Sequence, residues 1–137
     1  MRKTILLGAM FLSSLAFTQQ KSPVVGGDRD IHGCIGSAGY TYSQIKNDCI
    51  KVFGQKIKLK EVGSDKSSTS MTAVIFSKDM KRAEIFIPEG NAKSIILDKE
   101  GKSKMWKSGS YIKETYMLVP FKKNGYQIKK DDVVIYQ

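Results

Sequence analysis

From Ile57 onward the apolar positions recur at every second residue. Ile57 and Leu59 alternate with Lys56, Lys58 and Lys60, and Ala83, Ile85 and Ile87 keep one phase up to Pro88. A period of two places these side chains on one face of a strand. Met71 to Phe76 is a β-rich run, Ser94 to Leu97 is short and apolar, and Tyr111 to Val119 is rich in aromatic and β-branched residues. Tyr126 to Ile128 and Val133 to Tyr136 add two last short runs. Turn-forming residues separate them at Ser77-Lys78-Asp79, Glu89-Gly90-Asn91, Lys99-Glu100-Gly101, Ser108-Gly109, Asn124-Gly125 and Lys130-Asp131-Asp132. About seven short strands with such brief connections predict an antiparallel meander, closed or partly closed as a small barrel or sandwich. Parallel crossovers need longer connections than these.

Before Gly54 the period is different. Ile45, Cys49, Val52 and Phe53 fall at helical spacing, Ser43 can cap the start, and Gly54 supplies a stop, so a short helix is expected over Gln44 to Phe53. The fold class read from the pattern is therefore mainly β, with one short N-terminal helix. Gly63 to Ser70, rich in small polar residues, reads as an exposed loop.

The N-terminus carries a different signal again. Met1-Arg2-Lys3 is basic, Ile5 to Phe17 is an apolar run too short to span a bilayer comfortably, and Ser14, Ala16 and Thr18 are small. This is the pattern of a secretory signal peptide over residues 1–18. Residues 19–54 then form a leader loop and a stapled loop-helix, and residues 55–137 form the β-meander, together one globular unit. No second apolar run is long enough to anchor the chain in a membrane, so the expected location is periplasmic or secreted.

Export changes the reading of the cysteines. The chain has two, Cys34 and Cys49, with fourteen residues between them. In an oxidising compartment they are expected to pair, and closing a loop of this length is worth about 3 kcal/mol in lost unfolded-chain entropy. The disulfide would staple the N-terminal helix to the loop before it.

Charge narrows the partners. The whole chain carries +10, and without Arg2 and Lys3 there remain 21 basic against 13 acidic side chains, a net +8. The lysines are spread along the sequence, as at Lys56, Lys58, Lys60, Lys99, Lys102 and Lys104, and only Arg29 and Arg82 follow the signal. Arginine is the better reader of bases and phosphates, and an exported protein rarely meets nucleic acid. The expected partner is an unidentified protein or an anionic envelope polymer.

No residues converge on catalysis. The sole histidine, His32, sits beside Cys34, and a thiol held in a disulfide cannot attack. The step His32-Gly33-Cys34-Ile35 is similar to that around the nucleophile of L,D-transpeptidases, but those enzymes need a second histidine as base. Cys34, Cys49 and His32 are too few for a structural zinc site, with Asp30 the available fourth ligand. Asp131-Asp132 reads as a turn rather than a carboxylate pair. No catalytic residue, metal or cofactor is assigned, and an enzyme is not expected.

Residues 72–137 carry a longer likeness. An acidic turn at Asp79 precedes Ala83-Glu84-Ile85 and Ile96-Leu97. A turn Ser108-Gly109-Ser110-Tyr111 follows, then Phe121, Lys123 and Gly125, and finally Val134-Ile135-Tyr136. This order resembles the membrane-bound inhibitors of c-type lysozyme, a family of small periplasmic β-barrels. The resemblance implies that Ser108 and Lys123 enter a lysozyme cleft, where a hydroxyl and an ammonium can satisfy paired glycosidase carboxylates. The segment around Cys34 and Cys49 lies outside this likeness and resembles small uncharacterised exported bacterial proteins. Three functions stay open: a generic binding module, a lysozyme inhibitor, and an envelope-associated polycationic structural protein.

Overall fold

The computed structural model describes residues 27–63, 70–88 and 94–137. The expected signal peptide, the leader up to residue 26, most of the Gly63 to Ser70 loop and the Glu89-Gly90-Asn91 turn lie outside the described residues.

The strands in chain order are β1 (Tyr40–Ser43), β2 (Asp48–Lys51), β3 (Ile57–Lys60), β4 (Met71–Phe76), β5 (Arg82–Ile85), β6 (Ile95–Lys99), β7 (Trp106–Ser108), β8 (Tyr116–Phe121), β9 (Gly125–Lys130) and β10 (Val133–Tyr136). Strands β3 to β10 form one eight-stranded sheet in sequence order, with every neighbouring pair antiparallel. Its two ends meet. Lys60 and Gln137 exchange backbone hydrogen bonds of 2.9 Å each, Val62 N–H donates to the Ile135 carbonyl, and Glu61 bridges Tyr136. The meander is thus a nearly closed barrel, in which only short edges remain unpaired.

Inward positions follow the period of two. Leu59, Val74, Ala83, Ile85, Leu97, Trp106, Leu118, Ile128 and Tyr136 form one buried cluster inside the barrel. Ile85, Leu97, Leu118 and Ile128 are wholly buried. Truncating any of them to alanine would cost about 2–5 kcal/mol.

Strands β4 and β5 break the alternation because they are covered on both sides. The β1–β2 hairpin packs on their outer face, where Ile50 meets Ala73, Ile75 and Phe86, with Ile45 and Val52 beside them. This accounts for the continuous apolar run in β4. Glu84 also points outward from β5, yet it is completely buried under the hairpin. Its carboxyl group accepts hydrogen bonds from Ser43 Oγ (2.6 Å), Gln44 N–H (2.8 Å) and Ile45 N–H (3.2 Å). The turn of the hairpin is fastened to the barrel at this point.

The helix expected over Gln44 to Phe53 is not formed. Residues 44–47 make a turn, Asp48–Lys51 is strand β2, and Val52–Gly54 is a single 3₁₀ turn. Ser43 does accept a hydrogen bond from Lys46 N–H at 3.1 Å, so the cap is present over one turn only. Asn47, with φ of 52°, then turns the chain back, and Tyr42 pairs with Cys49 across the hairpin. Tertiary demand decides the outcome, because only the hairpin brings Ile50 onto β4 while satisfying Glu84.

The predicted disulfide is present between Cys34 and Cys49, with Cα atoms 5.5 Å apart. It ties residues 29–39 to β2 rather than to a helix. The expected single strand over Tyr111 to Val119 is also corrected: β8 begins at Tyr116, and Ser108 ends a separate three-residue strand, β7. Asp131-Asp132 is a two-residue hairpin turn with φ of 48° and 66°, the turn read from the sequence.

Candidate functional site

At one end of the barrel the inward-facing period changes from apolar residues to lysines. Leu97 is followed two positions later by Lys99, Trp106 is preceded by Lys104, and Leu118 leads through Pro120 to Lys122. On β9, Ile128 is preceded by Tyr126 and Asn124. The β4–β5 turn, the β6–β7 loop and the β8–β9 turn meet there. They enclose a cleft of about 480 Å³ that is open to solvent.

Each wall has a local cause. Met80 lies in the β4–β5 turn with φ of 58°, and its carbonyl accepts the Trp106 indole N–H at 2.9 Å. The same turn is held by Asp79, whose carboxylate accepts from Ser77 Oγ at 2.6 Å and from Lys81 N–H at 3.0 Å. The Ser77 hydroxyl first, and then the Lys81 amide, hold the exposed Asp79 carboxyl below its ordinary value of 3.8. Lys122 to Asn124 form the β8–β9 turn between the paired residues Phe121 and Gly125. Gly125 is required there, since a Cβ would lie 2.8 Å from the Phe121 carbonyl oxygen.

The floor is apolar and closed. Phe76, Trp106 and Tyr126 pack with ring centroids 4.8, 5.2 and 6.2 Å apart, so the aromatic trio seals the barrel interior beneath the cleft. Trp106 is 3 % exposed, whereas Tyr126 is half-buried and reaches the surface. Among the described residues, four lysines, Lys99, Lys104, Lys122 and Lys123, line the cleft, and no aspartate or glutamate does. Lys122 also lies over the Phe121 ring at 5.1 Å. The nearest ion pair in sequence, Lys107 with Glu100 at 4.0 Å, is half exposed and lies outside the lining. Lys99 is half-buried and the other three are exposed, and together the four positive charges raise the local potential and are suited to hold an anion.

Of the residues singled out by resemblance, Lys123 lies in this cleft and Ser108 does not. Ser108 is buried at 9 % exposure, and its Oγ accepts a hydrogen bond from Tyr116 N–H at 3.0 Å. Tyr116 starts β8 and Lys123 follows its end, so strand rise alone separates the two positions by about 17 Å. The structure does not bring Ser108 and Lys123 together, and Ser108 sits in a strand rather than an exposed turn. His32 stacks on Tyr42, with centroids 3.6 Å apart, and Cys34 is held in the disulfide. Among the described residues no three His, Cys, Asp or Glu side chains group as a metal site. Among them, too, no helix is long and apolar enough to cross a membrane.

The lysine cluster was hidden in the sequence, where Lys99 and Lys104 are well separated from Lys122 and Lys123 and look scattered. The signal that could have found it is the shared parity of Lys99, Lys104 and Lys122 with Leu97, Trp106 and Leu118. Compared with protein-family models, with curated proteins and with solved structures, the chain matches none.

Proposed function

We propose that this protein is an exported, non-enzymatic binding module that holds an anionic partner in the cleft at the barrel mouth. The observation that carries this reading is the set of four lysines lining one cleft, with no acidic side chain in the lining among the described residues. A filled barrel with a shaped, charged mouth is suited to binding, and among the described residues no nucleophile–base pair or carboxylate pair lines the cleft. The Cys34–Cys49 disulfide supports a chain that matures in an oxidising compartment. An anionic envelope polymer is a suitable partner, with an acidic protein surface the alternative.

The test compares binding of an anionic envelope polymer by the wild type, by Lys104→Ala/Lys123→Ala, and by Lys58→Ala/Lys60→Ala on the exposed side of β3. A cleft site predicts that the first pair weakens binding and the second does not. Equal loss from both pairs would instead describe a diffuse polycation.

The lysozyme-inhibitor reading keeps one supporting observation, the placement of Lys123 in an exposed hairpin turn. It predicts inhibition of a muramidase that is lost in Lys123→Ala. Because the Ser108 hydroxyl is bonded to the backbone, Ser108 would contribute to such inhibition only by supporting β7 and β8.

A further inference from the structure

We infer that the cleft takes an acidic saccharide, a pyranose chain bearing carboxylates, an inference that rests on the anion-binding reading above. Three features of the lining converge on this class. Among the described residues its cations are all lysines, compact point charges that suit separated single anions. Lysine serves carboxylate and phosphate alike, so the choice between these anions rests on the surface between the lysines. Between the lysines the surface is apolar, formed by Met80, Pro120 and Tyr126 over Trp106. That strip calls for a ligand with C–H surface as well as charge, which polyphosphate lacks. A pyranose ring supplies both, with one apolar face and a rim of hydroxyls, and the Asn124 amide offers a donor and an acceptor to that rim.

Two other anions fit less well. The acyl chain of an anionic lipid would need a hollow barrel, but Phe76, Trp106 and Tyr126 close the lumen above the wholly buried Leu118 and Ile128. An acidic peptide would bring a row of backbone amides, and among the described lining residues Asn124 is the one neutral amide side chain. A cleft of about 480 Å³ is of the size that holds a small ligand or a short stretch of a longer chain.

The experiment uses the fluorescence of Trp106, the protein's single tryptophan, which lies under the cleft. Tetragalacturonate, tetraglutamate, tetrapolyphosphate and neutral cellotetraose are titrated at one ionic strength. The inference predicts that tetragalacturonate binds about tenfold more tightly than the other two anions and that cellotetraose does not bind. Lys104→Ala and Lys123→Ala, both at exposed positions, should each weaken tetragalacturonate about threefold to fivefold. Tyr126 supports the aromatic trio, so its contact is read without mutation, by saturation transfer from protein aromatic protons to the sugar ring protons. Equal or tighter binding of tetraglutamate or tetrapolyphosphate, or absence of saturation transfer, overturns the saccharide inference and leaves the anion site standing. Failure of all three anions to bind overturns both.

Discussion

Replacing Glu84 by alanine should free the β1–β2 hairpin from the barrel. In the native structure this wholly buried side chain accepts from Ser43 Oγ at 2.6 Å and from the amides of Gln44 and Ile45 at 2.8 and 3.2 Å. Truncation leaves those three donors facing a cavity between the hairpin and β5. A buried donor without a partner costs about 1–3 kcal/mol, and the Gln44 amide, at the turn, can recover water. The expected loss is therefore about 3–5 kcal/mol, among the larger values for a single substitution. Glu84→Gln keeps the volume and one acceptor but sets an NH₂ group against a donor, for a loss of about 1–2 kcal/mol. Urea unfolding gives the total, and amide exchange shows where it falls. The amides of Gln44, Ile45 and Ile50 should lose more protection than those of β8 and β9. A loss under about 1 kcal/mol for Glu84→Ala, or equal loss of protection throughout the barrel, would refute the latch.

The remaining predictions concern other parts of the same structure. Cys34→Ser should lower stability by about 3 kcal/mol, read by urea unfolding, while the barrel's β-type circular dichroism is kept; two titratable thiols in the mature wild type would contradict the staple. Ser108→Ala should cost about 1–2 kcal/mol because the Tyr116 amide loses its partner, and an unchanged unfolding midpoint would show that this hydroxyl is not structural. Asp79 should titrate below 3.8 by carboxyl NMR, and Ser77→Ala should raise its midpoint. Since its pKa is depressed on folding, the stabilisation is present above the unfolded value and is lost as pH falls through the folded one. A midpoint at or above 3.8 would contradict the turn geometry.

Much of the barrel was legible because its inward positions obey a period of two. Ile57 and Leu59 define β3, Met71–Phe76 is β4 as read, and Val133–Tyr136 is β10 as read. The hairpin was not legible, since Ile45, Cys49 and Val52 fit a helix as well as they fit a turn, a strand and a 3₁₀ turn in succession. What decides between these is Glu84, some forty residues away and silent in any local window. β7 was missed because three residues hold too little pattern, and because the Trp106 ring is fixed by the distant Met80 carbonyl. The cysteine pair was legible from count and compartment. The lysine cleft was not, because its lysines come from two separate connections, β6–β7 and β8–β9, which the antiparallel meander sets at the same end.

Backbone amide shift mapping during titration with polygalacturonate tests the central claim most directly, since it locates the binding face without altering the protein. The account predicts that perturbations concentrate at Lys99, Lys104, Trp106 and residues 122–126, and that they fade as salt is raised. Equal perturbation at the lysines of β3, or perturbation centred on the β1–β2 hairpin with the barrel mouth unchanged, would contradict it.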